Sequence, residues 1–360
     1  MVSNWKPRVG ITMGDPCGIG PEIAVKAALE PEVRERAIPV LVGGRDLFRW
    51  GCRGVRGVRE RLFELVVGGD KGARAGTDFV EAVRADTERL ERGRPSAESG
   101  RVSAEAVRAA VRGVLRGELD AVATAPISKE AWRLAGLPYP GHTEFLAELA
   151  GATSYGMLFV GGGLRVLLAT IHVPLAAVAS RLSTEGLLEK LRLLNVTLVE
   201  RFGIDAPRIG VAGLNPHAGE HGLFGDEEER VIRPAVDSAR AEGIDARGPF
   251  PADVLFGEIH ARDGLSAVLA MYHDQGLIPV KQAAFGSAVN VTIGLPFVRT
   301  SPDHGTAFDI AGRGVARASS MVAAVRLAAE LAARERARRA AAAPAAGRAP
   351  ATRAPEGGRA

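Results

Sequence analysis

The sequence predicts an α/β protein, a sheet of buried strands covered by helices. Three observations point there. Short runs rich in Val, Ile, Leu and Ala recur at Arg8–Met13, Ile38–Gly43, Asp120–Thr124, Arg165–Ile171, Arg208–Gly213 and Ala267–Met271 without polar alternation, the pattern of strands buried on both faces. Most end in a loop of Gly, Pro, Asn or His, and helical apolar spacing follows several of them. The chain has 360 residues, 46% hydrophobic and 24% charged, which suffices for two domains or one large α/β domain.

The first strand delivers Gly14-Asp15-Pro16-Cys17-Gly18-Ile19-Gly20-Pro21-Glu22, and a helix follows. Glycines here let backbone amides approach a ligand, and Pro21 suits the first helical turn. The loop reads equally as an anion contact or as a tight turn under the sheet. It is not a dinucleotide-binding fingerprint. Ile23 stands where the third Gly belongs, and no acidic residue ends a second strand about 20 residues on. Arg45–Trp50 opens a helix or turn, and Arg53–Gly76 reads as a variable surface region with a strand inside. Helical spacing is expected over Thr77–Arg92 and Ser103–Arg116. The strand at 120–124 breaks at Ala125–Lys129. Loops 14–22 and 125–129 are therefore candidate rims of a site, because ligands collect at strand carboxyl ends. Gly141-His142-Thr143-Glu144 opens another helix, where His142 and Thr143 can cap the helix or hold an anion.

Three strands then each deliver a histidine: His172, His217 and His273. Neighbouring strands lie about 4.8 Å apart, so three imidazoles at strand ends of one sheet can share a divalent metal such as Zn, Co, Mn or Mg. The segment Tyr272–Thr306 adds Asp274, Lys281, Asn290, Arg299, Asp303 and His304 around an apolar strand, Val289–Ile293, and reads as a turn-rich site wall. Lys281, Asn290 and Arg299 offer a point charge, a neutral amide and a planar fork, a set that suits a phosphate monoester or carboxylate. Asp253 follows a rigid Gly-Pro-Phe-Pro turn and is either a base, a metal-adjacent carboxylate or a helix cap.

The formal charge of +4 resides in the C-terminal tail. Residues 334–360 hold seven Arg and two Glu, while the rest carries 39 basic and 40 acidic side chains. A body near neutrality weighs against a nucleic-acid-binding face, and the Ala/Arg/Pro tail reads as disordered. No run of 18 apolar residues marks a membrane span. Two cysteines make neither a disulfide framework nor a four-cysteine zinc site, so the expected compartment is the cytoplasm.

Six motifs carry a resemblance: MGDPCGIGPE at 13–22, TAPISKE at 124–130, GHTEFLAE at 141–148, NPHAGE at 215–220, YHDQG at 272–276 and VNVTIGLPFVRTSPDHGTAFDIAG at 289–312. In that order, over roughly 8–333, the chain resembles the 4-hydroxythreonine-4-phosphate dehydrogenase family of vitamin B6 biosynthesis. The resemblance implies two α/β domains flanking a cleft, as in isocitrate and isopropylmalate dehydrogenases, without the Rossmann glycine loop. The first would be residues 1–130 with 300–333, the second 131–299. It implies one divalent metal on His172, His217 and His273, drawn from both subunits of a homodimer. It matches substrate binding to His142, Thr143, Lys281, Asn290 and Arg299, and places Asp253 and Lys281 in the catalytic role, with Asp253, His142 or a bound water as the group that takes the proton. It also implies NAD or NADP as oxidant, at residues the motifs do not identify. The reaction implied is oxidation of 4-hydroxythreonine 4-phosphate to a 3-oxo acid that decarboxylates to 3-amino-2-oxopropyl phosphate. Related members oxidise D-threonate or D-erythronate 4-phosphate. Cys17 stands where the family usually has Ala, and Pro302 where an aliphatic residue is common. From the residues alone, a metal-dependent phosphatase or a non-catalytic partner-binding protein are the competing classes.

Overall fold

A computed structural model describes residues 5–55, 78–257, 264–284 and 286–342. The α/β class expected from the strand pattern is what the chain adopts. Eleven strands form one sheet: β1 (Arg8–Thr12), β2 (Ile38–Gly43), β3 (Asp78–Glu81), β4 (Ala121–Thr124), β5 (Gly156–Gly161), β6 (Leu164–Leu168), β7 (Arg208–Ala212), β8 (Asp245–Phe250), β9 (Ala267–Ala270), β10 (Val289–Ile293) and β11 (Val298–Pro302). Their order is β3-β2-β1-β4-β11-β10-β5-β6-β9-β7-β8. Pairing is parallel from β3 to β11 and from β6 to β8. The pairs β11–β10, β10–β5 and β5–β6 are antiparallel. Two parallel halves of opposite direction thus meet at an antiparallel centre.

The hairpin β10–β11 makes that junction. Gly294 turns it with φ +90, and a side chain there would place its Cβ 2.1 Å from the Ser154 carbonyl. Only glycine fits such a turn. β11 then inserts beside β4, although some 175 residues separate them in sequence. Helices cover the faces. Ala97–Leu115 begins with a capping box, in which Ser96 and Ser99 each accept the other's backbone N–H. Its Val102, Ala106, Val107, Ala110 and Val111 stripe is buried.

Three expectations change. Asp78–Glu81 is a strand on the edge of β2, not part of a helix over 77–92, because edge pairing offered its backbone partners that a lone short helix lacks. Residues 273–283 form a helix inside the segment read as turn-rich, with Pro279 within it. The tail is helical as far as Ala342, continuing the helix Ser319–Ala342. Ala and Arg are strong helix formers. Arg338 Nη1 donates to the Val199 carbonyl at 2.7 Å, and Arg336 lies 4.2 Å over the Trp5 ring. The strand expected within Arg53–Gly76 falls almost wholly outside the described residues.

Candidate active site

The floor of the site is one face of the antiparallel centre. Side chains two apart on a strand share a face, and so do directly paired residues on neighbouring strands. Asn290 pairs with Ser301 and Phe159, and Thr292 pairs with Arg299 and Met157. The register therefore places all six side chains on one face. Arg299, 2% exposed, donates from Nη1 to Thr292 Oγ1 at 2.8 Å and from Nη2 to Thr124 Oγ1 at 2.6 Å. Its third donor, Nε, has no partner. Burial pushes this guanidinium down to about 9.

Above the floor opens a cleft of about 350 Å³. Thr124, His142, Asn290 and Ser301 line its inner end, and His172, His273, Lys281 and Asp303 stand among its other walls. Asn290 Oδ1 and His142 Nε2 are both buried without a hydrogen-bond partner. Burial, and then the charge of Arg299, hold the His142 imidazole well below its ordinary pKa, so it is neutral. Its ring packs edge-on against Trp132 at 5.6 Å. Buried polar groups are normally satisfied. Two orphans in one small cleft mark a place built for a polar ligand: Asn290 Oδ1 calls for a donor, while the positive charge of Arg299 one layer beneath favours an anion.

A second cavity of about 410 Å³ adjoins the first. The two share Lys281, Asp303, His304 and Gly305. The glycine loop after β1 supports this wall from behind. Ile19 lines the second cavity and donates its N–H to the Thr306 carbonyl at 2.9 Å. Gly18 packs so closely that a Cβ would stand 2.7 Å from the same carbonyl. Asp15, fully buried, accepts from the Cys17 N–H at 2.9 Å and from Ser99 Oγ at 3.2 Å. Its own N–H donates to the Pro126 carbonyl at 2.9 Å. The loop thus ties residues 125–129, of which Pro126, Ile127 and Lys129 line the cleft, to residues 303–307.

The three strand-ending histidines follow neighbouring strands, β6, β9 and β7. His172 and His273 meet, with ring centroids 5.7 Å apart. Asp274 Oδ1 lies 2.7 Å from His273 Nδ1, which orients the ring and leaves Nε2 for other contacts. Burial, then Lys129 and His273, hold His172 below its ordinary pKa, which favours the neutral ring. His217 does not join them. It begins a run of positive φ angles, from His217 to His221, and is exposed beside Phe224. Within one chain, and among the described residues, no three His, Cys, Asp or Glu side chains form a group able to hold a metal ion.

The structure brings His142, Lys281, Asn290, His172 and His273 to one cleft with Arg299 beneath. Thr143 is buried in the first turn of the helix His142–Ala150 and does not line the cleft. Asp253 lies exposed on the helix Ala252–Gly257, away from the cleft lining of this chain. Sequence reasoning missed Thr124 and Thr292. Thr292 was legible in principle, two residues after Asn290 on the same strand face. Thr124 was not, because its neighbour β11 comes from the far end of the chain.

Comparison with known proteins bears on this site. A family model described as pyridoxal phosphate biosynthetic protein PdxA matches residues 37–328. A 4-hydroxythreonine-4-phosphate dehydrogenase of Geobacter metallireducens is 48% identical over 330 residues, covering 91% of this chain and 96% of that one. A D-threonate 4-phosphate dehydrogenase of Salmonella typhimurium is 44% identical over 329 residues, covering 90% and 98%. The crystal structure of 4-hydroxythreonine-4-phosphate dehydrogenase from Klebsiella pneumoniae superposes with a TM-score of 0.79 at 38% identity, covering 91% of this chain and all of that one (100%).

Proposed function

The chain belongs to the PdxA family of pyridoxal phosphate biosynthetic proteins, and from that premise we propose that it oxidises 4-hydroxythreonine 4-phosphate with NAD or NADP. The product is a 3-oxo acid that loses carbon dioxide to give 3-amino-2-oxopropyl phosphate. The observation that carries this reading is one small cleft lined by His142 and Asn290, each with a buried unpaired side-chain atom, and by Thr124, which is held by the buried guanidinium of Arg299 beneath it.

In this reading the phosphate occupies the inner end of the cleft. The Asn290 amide N–H and neutral His142 orient it, and Arg299 supplies positive potential through a medium of low dielectric. Lys281 stands where the cleft meets the second cavity, which we assign to the dinucleotide. The imidazoles of His172 and His273 fit a divalent ion. They adjoin, and Asp274 orients one of them. A third ligand has to come from outside this set, and we assign it to His217 of the partner subunit. When bound, the divalent ion supplies Lewis acidity at the hydroxyl being oxidised, and the dinucleotide supplies the hydride acceptor. Asp253 is proposed to enter the site across the same subunit boundary as the proton acceptor.

Exposed apolar side chains support a homodimer. Leu175, Leu223, Phe224 and Ile278 are 70%, 73%, 49% and 64% exposed, and they stand within a few residues of His172, His217 and His273. Large apolar residues grouped this way mark an interface, and a two-fold contact would bring the ligand-bearing segments of two copies together. No described helix is long and apolar enough to cross a membrane. Two buried free cysteines accord with a cytoplasmic enzyme.

The similar identity to a D-threonate 4-phosphate dehydrogenase favours one second reading, oxidation of that sugar-acid phosphate. An absorbance assay for dinucleotide reduction with each ester, with and without divalent metal, tests both. Metal-dependent reduction with 4-hydroxythreonine 4-phosphate is expected. A preference for D-threonate 4-phosphate above about tenfold, or ~1.4 kcal/mol, rejects the first reading. Release of inorganic phosphate without reduction rejects both.

A further inference from the structure

Lys281 and Asp303 form the only charged pair on the wall shared by the two cavities, among the described residues. Lys281 is on the last turn of the helix His273–Ala283 and is half exposed, with Nζ 3.3 Å from Asp303 Oδ2. Asp303 is 17% exposed. It is the one carboxylate among the described residues lining either cavity. That is an unfavourable place for a negative charge. A phosphate in one cavity and a dinucleotide pyrophosphate in the other are both repelled by it. Burial alone already raises its pKa, with Lys281 opposing. A carboxylate kept at such a position serves something other than anion binding. Among the described residues its ion-pair partner is Lys281, a side chain whose long stem otherwise samples many rotamers, with His273 and His304 adding weaker positive potential.

Resting on the function proposed above, we infer that Asp303 is a positioning residue. It holds the Lys281 ammonium at the junction of the two cavities, where the ammonium serves the reacting carbon and not the grip on the phosphate. The phosphate end already has Asn290 and Arg299 on the floor and His142 at the start of its helix, and none of the three lines the second cavity.

The test is a double-mutant cycle on the full-length enzyme with Asp303→Asn, Lys281→Met and the pair. Kinetics are read against both the phosphate ester and the dinucleotide. Asp303→Asn is expected to lower kcat at least tenfold. KM for the phosphate ester should stay within about twofold or fall, because a repulsive charge has gone. In the Lys281→Met background the same substitution should change kcat by less than twofold. Multiplicative effects on kcat overturn the inference, since Asp303 would then act independently of Lys281. A rise in KM with kcat retained also overturns it, since the pair would then serve binding. Thermal midpoints establish folding. If Asp303→Asn does not fold, Asp303→Glu replaces it in the cycle with the same criteria on kcat; because it retains the charge and only displaces it by a methylene, KM for the ester should stay within about twofold. A wild-type enzyme that reduces no dinucleotide with either ester overturns the functional reading first. An active wild type with independent effects overturns only this one.

Discussion

Replacing Arg299 with Met separates what the residue costs the fold from what it does for the ligand. Met approximates the stem of Arg and removes the charge. Holding the buried guanidinium, pushed by desolvation from its ordinary range down to about 9, costs about 5 kcal/mol at 1.36 kcal/mol per tenfold step. A base with a depressed pKa loses protons on folding, so this cost is fully present at pH 7 and is relieved only as pH rises above about 9. Against it stand two charged hydrogen bonds, to Thr292 and Thr124, each worth roughly 1.5–3 kcal/mol. The two sides nearly cancel. Arg299→Met is therefore expected to unfold in urea within about 2 kcal/mol of the wild type. Ligand binding should behave differently. One side-chain layer (roughly 6 Å) from an anion, at an effective dielectric of about 20, the lost charge contributes about 3 kcal/mol, or about a hundredfold in affinity. Urea denaturation followed by titration calorimetry with the phosphate ester reads both quantities. A variant destabilised by more than ~4 kcal/mol but binding the ester normally would refute the assignment and make Arg299 a structural ion.

Asp15, fully buried and raised from 3.8 to about 6 by desolvation, gives a pH signature. Its contribution to stability is complete below pH 3.8 and is lost as pH rises through about 6, about 3 kcal/mol in all. Asp15→Asn should abolish that slope in denaturation curves recorded from pH 4 to 7. An unchanged slope would show that another group carries it. Gly18→Ala forces a Cβ to 2.7 Å from the Thr306 carbonyl and should lower the thermal midpoint by several degrees, with KM for the dinucleotide rising more than KM for the ester. Equal rises in the two would separate this loop from the second cavity. Phe224→Glu, at an exposed position, is expected to leave monomer stability within about 0.5 kcal/mol while shifting sedimentation from dimer to monomer and abolishing activity. A fully active monomer would remove the shared-site proposal.

Much of this molecule was readable from local pattern. Continuous apolar runs identify strands because a strand buried on both faces cannot carry polar residues. The apolar stripe Ala106, Val107, Ala110, Val111 and Val114 identifies a helix over Ser103–Arg116 for the same local reason, while its start at Ala97 and the Ser96–Ser99 cap came from the structure. The residues His142, Lys281, Asn290 and Arg299 were legible because polar groups in apolar surroundings need a partner. Tertiary structure alone decided how they meet. Arg299 stands opposite Thr292 through the register of one hairpin, and reaches Thr124 because β11 returns to β4 across 175 residues of the chain. Asp303 faces Lys281 although it lies beyond the end of the helix His273–Ala283 and two further strands. His217 does not group with the other two imidazoles within one chain, and it sits beside Phe224 on a loop of positive φ. Local preference sets the kind of element each segment forms, within the reach of a few residues. Register, strand order and loop direction depend on surfaces buried between distant segments, and these placed the charges.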